Sequence, residues 1–253
     1  MRNVFNFFLI ILVFSSCGEK KMRKVVDVSN RALEYELINP SGNFEGDVQF
    51  SEKGAEFNVN DGSGYILLDS LNLNQSASKN ISMWLKFEGE DARIPQMIFS
   101  IKDTTDSRKR FNMWIAGRRI TAVLNGNHLW ANEYDYSKGR SKTYYDSFIL
   151  EPGKFYFLSV NYTPQKVQIY INAELYQQFD NINDGNISFH QIYLGTERYE
   201  NEFRNPLIGN IRNLTLFNRT LNVNEIYSLS VESHEAISEF NKAFELKKFN
   251  FKQ

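Results

Sequence analysis

The sequence predicts an all-β protein, a sandwich of two antiparallel sheets with a short C-terminal helix. Three observations predict it. Short apolar-alternating runs arrive every ten or so residues from about Glu34 to Phe217, bounded by Gly, Asn, Asp and Pro clusters. Aromatic residues make up 15% of the chain, with 21 Phe and 13 Tyr, a bias that suits strands. Helical spacing of apolar residues appears only near the end, at Ile237, Phe240 and Phe244.

Composition narrows the class. With 42% hydrophobic and 23% charged residues the chain is globular, and its 253 residues fit one large sandwich. A formal charge of −1 leaves no basic surplus to hold nucleic acid. The one cysteine, Cys17, excludes a disulfide framework or a cysteine-based metal site within one chain.

The first element reads as an export signal. Arg2 is followed by an apolar run from Val4 to Phe14, too short to span a bilayer core of ~30 Å. Ser15-Ser16-Cys17 follows and resembles a bacterial lipobox, with Phe14 where Leu is usual. The resemblance implies a signal peptide over 1–16 and a lipidated Cys17 with a tether over 17–32. Two or more acyl chains then hold the protein to a membrane. Gly18 stands where an inner-membrane retention signal carries Asp, which favours the outer membrane and leaves its face open.

The sandwich is expected over 33–230. A first strand is read at Glu34–Ile38, and Gly54–Val59 and Tyr65–Leu68 read as a hairpin around Asn60-Asp61-Gly62. Ile81 to Phe87 alternates cleanly. Phe111, Met113 and Ile115 make one apolar face against Asn112 and Trp114, and Ile120, Ala122 and Leu124 make another. Phe155–Tyr162 and Val167–Asn172 form a hairpin around Thr163-Pro164-Gln165-Lys166. The closing strand runs from Pro206 toward Phe217. Leu207, Gly209, Ile211, Asn213 and Thr215 are expected on one side, and Ile208, Asn210, Arg212, Leu214 and Leu216 on the other. A slip is placed at Phe217. Asn222 or Asn224 caps one helical turn carrying Glu225, Ile226 and Leu229. Residues 231–253 are read as an amphipathic tail helix that covers the sandwich or docks a partner.

These residues carry a resemblance. Gly209, Ile211, Leu214, Leu216, Phe217, Asn218, Arg219, Leu221, Glu225 and Ile226 sit in the places of the closing strand of laminin-G-like, concanavalin A-like domains. Trp84 in Ile81–Phe87, the Phe155–Asn172 hairpin, Gln191–Gly195 and Tyr65–Leu68 match four further motifs of that family in the right order. The resemblance covers about 45–230 and implies a concanavalin A-like jelly roll. It also implies calcium as a candidate ion, for which Asp61 or Asp184 offers an oxygen; plain turn chemistry is the favoured reading of both. Arg212 stands where the family's closing strand carries an acid, which argues against an identical site.

Candidate chemistry is thin. Glu133 and Asp135 stand two apart, so on a strand they share a face, the arrangement of a carboxylate pair for glycoside hydrolysis. The third acid of that motif is missing, and a solvated loop is the favoured reading. His128, His190 and His234 share no ligand spacing. The better candidate is a binding surface between Asn112 and Tyr145: Trp114, Arg118, Asn125, His128, Trp130, Tyr134, Tyr136 and Tyr144. Sugars have apolar C–H faces and many hydroxyls, so aromatic rings beside planar polar groups suit them. The expected function is an envelope lipoprotein that binds carbohydrate or a glycosylated partner. The alternatives are an adhesive subunit for another envelope protein and, less favoured, a glycan hydrolase or lyase.

Overall fold

The computed structural model describes residues 33–35, 43–51, 54–57, 64–69, 71, 78–89, 95–103, 109–116, 118–124, 127–129, 132–135, 140–143, 149–180, 187, 189–199 and 202–235. In chain order the strands are β1 (Leu33–Tyr35), β2 (Asn43–Glu45), β3 (Val48–Ser51), β4 (Gly54–Phe57), β5 (Tyr65–Leu68), β6 (Lys79–Phe87), β7 (Gln96–Lys102), β8 (Arg110–Ala116), β9 (Arg119–Leu124) and β10 (Asn127–Leu129). They continue as β11 (Asn132–Asp135), β12 (Arg140–Thr143), β13 (Phe155–Tyr162), β14 (Lys166–Ile171), β15 (Glu174–Asp180), β16 (Gln191–Leu194), β17 (Glu197–Tyr199), β18 (Glu202–Arg204) and β19 (Gly209–Phe217). Among the described residues one helix, α1 (Val223–Glu235), follows.

Two antiparallel sheets form the sandwich. One has the order β15-β14-β13-β6-β19-β4-β3, with β1 added beside β19; the other has the order β10-β9-β8-β7-β16-β5-β2. Alternation explains why they pack. Ile81, Met83, Leu85 and Phe87 of β6 turn inward together with Leu158 and Val160 of β13. They meet Ile98, Phe99 and Ile101 of β7, Phe111, Met113 and Ile115 of β8, and Ile120, Ala122 and Leu124 of β9. Each of these Ile, Leu, Val, Met and Phe side chains, fully buried, contributes about 1.5–3 kcal/mol. The Phe155–Asn172 hairpin stands as expected, with Leu158 opposite Ile171 and Tyr162 opposite Val167.

A second, smaller core lies on the outer face of the eight-stranded sheet. Trp84, Phe157, Tyr170 and Phe217 pack there against Leu221, Ile226 and Leu229. The Trp84 and Phe157 rings meet edge-on at 5.3 Å, and the Trp84 indole N–H donates to Ser233 Oγ at 2.8 Å. Asn222 begins α1 as a capping box. Its Oδ1 accepts from the Asn224 and Glu225 N–H groups at 2.9 and 3.1 Å, and Glu225 Oε2 accepts from the Asn222 N–H at 2.8 Å.

The structure corrects three local expectations and places a fourth element. First, β4 and β5 are not a hairpin: β4 pairs with β3 and β19, whereas β5 pairs with β16 and β2 in the other sheet. The chain crosses between sheets there because Ala55 and Phe57 on one side and Ile66 and Leu68 on the other all face the same core. Second, the closing strand changes parity at Asn213, not at Phe217. Asn213 takes a positive φ of 50°, the register against β6 shifts between Arg212 and Thr215, and Ile211, Leu214 and Leu216 all reach the core. Third, α1 is 13 residues long rather than one turn, so 231–235 belong to it; the tail beyond, with Phe240 and Phe244, lies outside the described residues. The expected first strand is present as β1 over Leu33–Tyr35, which pairs with β19, with Leu33 opposite Leu216; residues 36–38 of that expectation lie outside the described residues.

Candidate functional site

Polar side chains collect on the outer face of the seven-stranded sheet. Its register draws one line across six strands: Leu67, Tyr193, Ser100, Asn112, Val123 and His128 stand opposite one another in turn. Phe111, Met113 and Ile115 are taken by the core, so alternation turns Arg110, Asn112 and Trp114 outward on β8. Trp114 is partly exposed, opposite Met97 and Thr121.

The polar groups on this line are joined. Ser100 Oγ donates to Asn112 Oδ1 at 2.9 Å, which turns the Asn112 amide nitrogen away from Ser100. That nitrogen donates to Glu197 Oε1 at 2.6 Å, and Arg110 Nη1 approaches the same oxygen at 3.4 Å. Asn112 is 2% exposed, while the Glu197 and Arg110 side chains keep 15% and 32% of their surface. The site is therefore buried at the amide and open at the guanidinium.

Glu197 arrives on a hairpin. The chain leaves β16 through Gly195, whose φ of 80° suits glycine and whose Cβ, if present, would strike the Phe57 ring. β17 and β18 then pair, with Arg198 opposite Phe203. Arg198 Nη1 donates to the Tyr193 hydroxyl at 3.2 Å, a contact that raises the Arg198 pKa further. Phe203 stacks on Tyr65 with centroids 4.4 Å apart and rings 27° from parallel. Burial first, and then a hydrogen bond to the Glu45 carboxylate, push the Tyr65 phenol up to about 12.

The expected site residues divide. Trp114 stands on this face, and His128 takes the end of its register line at β10. Arg118 is used elsewhere. It has a positive φ of 61°, its Nε donates to the Leu150 carbonyl at 2.9 Å, and its own carbonyl accepts from the Leu150 N–H at 2.9 Å. Glu133, Tyr134 and Asp135 lie on a strand rather than in the expected loop. β11 pairs with β12, placing Glu133 opposite Lys142, Tyr134 opposite Ser141 and Asp135 opposite Arg140. The pair therefore does share a strand parity, but each acid stands opposite a cation. Asn125, Trp130, Tyr136, Tyr144, Asp61, Asp184 and Cys17 lie outside the described residues. Among the described residues no three His, Cys, Asp or Glu side chains are grouped to hold a metal ion. Arg212, in the place of the family's acid, is 8% exposed and donates through Nε to Asn213 Oδ1 at 3.0 Å.

Sequence reasoning missed Ser100, Arg110, Tyr65, Tyr193, Glu197 and Arg198. The alternation of β8 could have found Arg110 beside Asn112 and Trp114. Nothing local marks Glu197, which lies 85 residues from Asn112.

Comparison with known proteins bears on the fold. A laminin-G family model, described as the concanavalin A-like lectin/glucanases superfamily, matches residues 60–227. Among solved structures, the receptor-binding domain of the botulinum neurotoxin C/D mosaic serotype is similar at 19% identity. Its TM-score is 0.55, over 78% of this chain and 50% of that one. The receptor-binding domain of botulinum neurotoxin D is similar at 17% identity and a TM-score of 0.55, over 81% and 53%. The binding domain of botulinum neurotoxin DC, solved in complex with rat synaptotagmin II, is similar at 16% identity and a TM-score of 0.54, over 79% and 51%. The chain spans about half the length of these structures, and at such identities the likeness is one of fold. No match was found among the curated proteins.

Proposed function

The chain belongs to the concanavalin A-like lectin/glucanase superfamily, and from that premise we propose that it is a carbohydrate-binding domain carried on an envelope lipoprotein. One observation carries the binding half of this reading. On the outer face of the seven-stranded sheet the partly exposed Trp114 shares a strand face with Asn112 and Arg110, whose amide and guanidinium meet the Glu197 carboxylate arriving from β17. A pyranose offers a C–H face for an indole and hydroxyls that both donate and accept, so an aromatic ring beside planar polar groups suits it. The family premise alone would not choose a function, since one sandwich hosts many.

The anchoring half rests on the apolar run before Ser15-Ser16-Cys17 and on Cys17 being the chain's one cysteine. It would place the domain at the outer membrane, with residues 18–32 as a charged tether. Mass spectrometry of the N-terminal peptide tests it: a mature chain beginning at an acylated Cys17 supports the anchor, and an unmodified Cys17 removes it.

For binding, the purified chain is applied to a glycan array with and without a calcium chelator. Trp114→Ala should weaken any glycan bound by at least about tenfold, the loss of roughly 1.4 kcal/mol of stacking. Undiminished binding by that variant would move the site off this face. Binding abolished by the chelator would turn attention to Asp61 and Asp184.

A further inference from the structure

The polar cluster around Asn112 already holds a carboxylate, and its chemistry says which sugars can replace it. Ser100 takes the Asn112 carbonyl oxygen at 2.9 Å, so the amide is held in one orientation and its nitrogen can only donate outward. The acceptor it finds is Glu197, at 2.6 Å, with Arg110 at 3.4 Å on the same oxygen. A bond this short to an ionised group is roughly twice as strong as a neutral one. A sugar hydroxyl is a neutral acceptor and exchanges poorly against it. A sugar carboxylate is chemically equal to Glu197 and can take its place.

We propose that this cluster seats the carboxylate of an acidic sugar on Arg110 and Asn112, with the ring against Trp114, and that Glu197 occupies the seat until the ligand arrives. The inference rests on the carbohydrate-binding reading and adds the ligand class. The geometry permits the exchange. Glu197 reaches the cluster through a side chain of three rotatable bonds from β17, and that side chain keeps 15% of its surface. The Arg110 side chain, 32% exposed, gives a ligand its approach. The Trp114 ring lies two residues from Asn112 on the same strand face, which places the apolar contact beside the charged one. Glu197 also sets a threshold: its negative charge at the cluster repels any acid that does not displace it.

The test compares the purified full chain, its Glu197→Gln variant and its Arg110→Gln variant. Each is titrated with a neutral oligosaccharide and with the uronic-acid counterpart of the same backbone, at low and high salt. Gln keeps the side-chain length but removes the competing charge. E197Q should therefore bind the uronate at least about tenfold more tightly, about 1.4 kcal/mol, and its preference for the uronate over the neutral sugar should rise. R110Q should lose the preference for the uronate, and high salt should weaken uronate binding alone. Weaker or unchanged uronate binding by E197Q, or an R110Q variant that keeps the preference, overturns the proposal while neutral-sugar binding leaves the broader reading standing. Failure of all three proteins to bind either sugar overturns both. If E197Q does not fold, R110Q decides alone.

Discussion

Asn161 is the side chain that ties the sandwich to its helix, and replacing it with Ala should be costly. It is 3% exposed on β13. Its Nδ2 donates to the Leu221 carbonyl at 2.7 Å, and its Oδ1 accepts from the Leu221 N–H and from Asn80 Nδ2, each at 2.9 Å. Behind it, Asn80 Nδ2 also donates to Ser159 Oγ at 2.9 Å, and Ser82 Oγ donates to Asn80 Oδ1 at 2.7 Å. Asn161→Ala orphans three buried groups, both backbone groups of Leu221 and one amide proton of Asn80, and also removes a side-chain bond to Tyr170. Each costs about 1–3 kcal/mol when left unmet. Because the three share one network they do not simply add, and a total of about 3–5 kcal/mol is expected. For a chain of this length that lowers Tm by roughly 10 °C. Equilibrium urea unfolding followed by tryptophan fluorescence measures it, since Trp84 is buried beneath α1 and bonded to Ser233. Gln168→Ala is the control: its bond to Gln178, at 2.8 Å, lies at the surface, and its loss should stay within about 0.5 kcal/mol. An Asn161→Ala cost below about 1 kcal/mol would refute the argument, because water or a shifted loop would then be satisfying Leu221.

Other perturbations have equally definite outcomes. Gly209 opens β19 at a φ of 150°, and a Cβ there would collide with the Lys86 carbonyl oxygen, so Gly209→Ala should cost about 2–4 kcal/mol in the same urea assay. Tyr65 is protonated to about 12 in the folded chain, above its unfolded value of 10.0, so its contribution is complete below that unfolded value and is lost as pH rises through the folded one. Tyr65→Phe should flatten the alkaline fall of Tm, and an unaltered fall would show that the phenol does not drive it. Burial raises Tyr156, Tyr162, Tyr170 and Tyr176 as well, so a residual alkaline slope is expected in that variant. Burial raises the Glu225 carboxyl, but its bonds to Arg219 and to the Asn222 N–H outweigh that and hold it low. Its stabilisation is therefore present above the ordinary carboxylate range and disappears as pH falls below it. Glu225→Gln should cost about 1 kcal/mol at neutral pH and nothing in acid, read as Tm against pH.

How much could be read in advance depends on the range of the physics involved. β6, β8, β9 and the β13–β14 hairpin were legible because one face of each strand is committed to the core, and alternation reports burial directly. β15 was not legible. Among the described strands it lies at the edge of its sheet, with one buried residue, Gln177, and with Tyr176 and Phe179 only partly buried against the core, so burial imposes a weak pattern on it. β17 and β18 are three residues each and rest on contacts from their side chains to Tyr193, Asn112 and Tyr65, which no local rule supplies. The same limit governs the site. Trp114 was legible as an aromatic opposite an apolar face, whereas Glu197 meets Asn112 only when β16 is laid beside β7.

The closing strand shows what a local rule leaves out. Strict alternation from Gly209 would have sent Ile211 inward and Leu214 and Leu216 outward, which strands two leucines on the helix side. Asn213 resolves the conflict by adopting a positive φ, which asparagine tolerates better than most residues. The added residue lets Ile211, Leu214 and Leu216 all join the inner core. It also turns Thr215 and Phe217 to the other face, where Phe217 becomes part of the small core beneath α1. One irregular residue thus serves two hydrophobic surfaces that a regular strand could not serve together. That is why α1 can seal the eight-stranded sheet with Leu221, Ile226 and Leu229, leaving the outer face of the seven-stranded sheet as the one that carries Trp114 and the joined polar side chains.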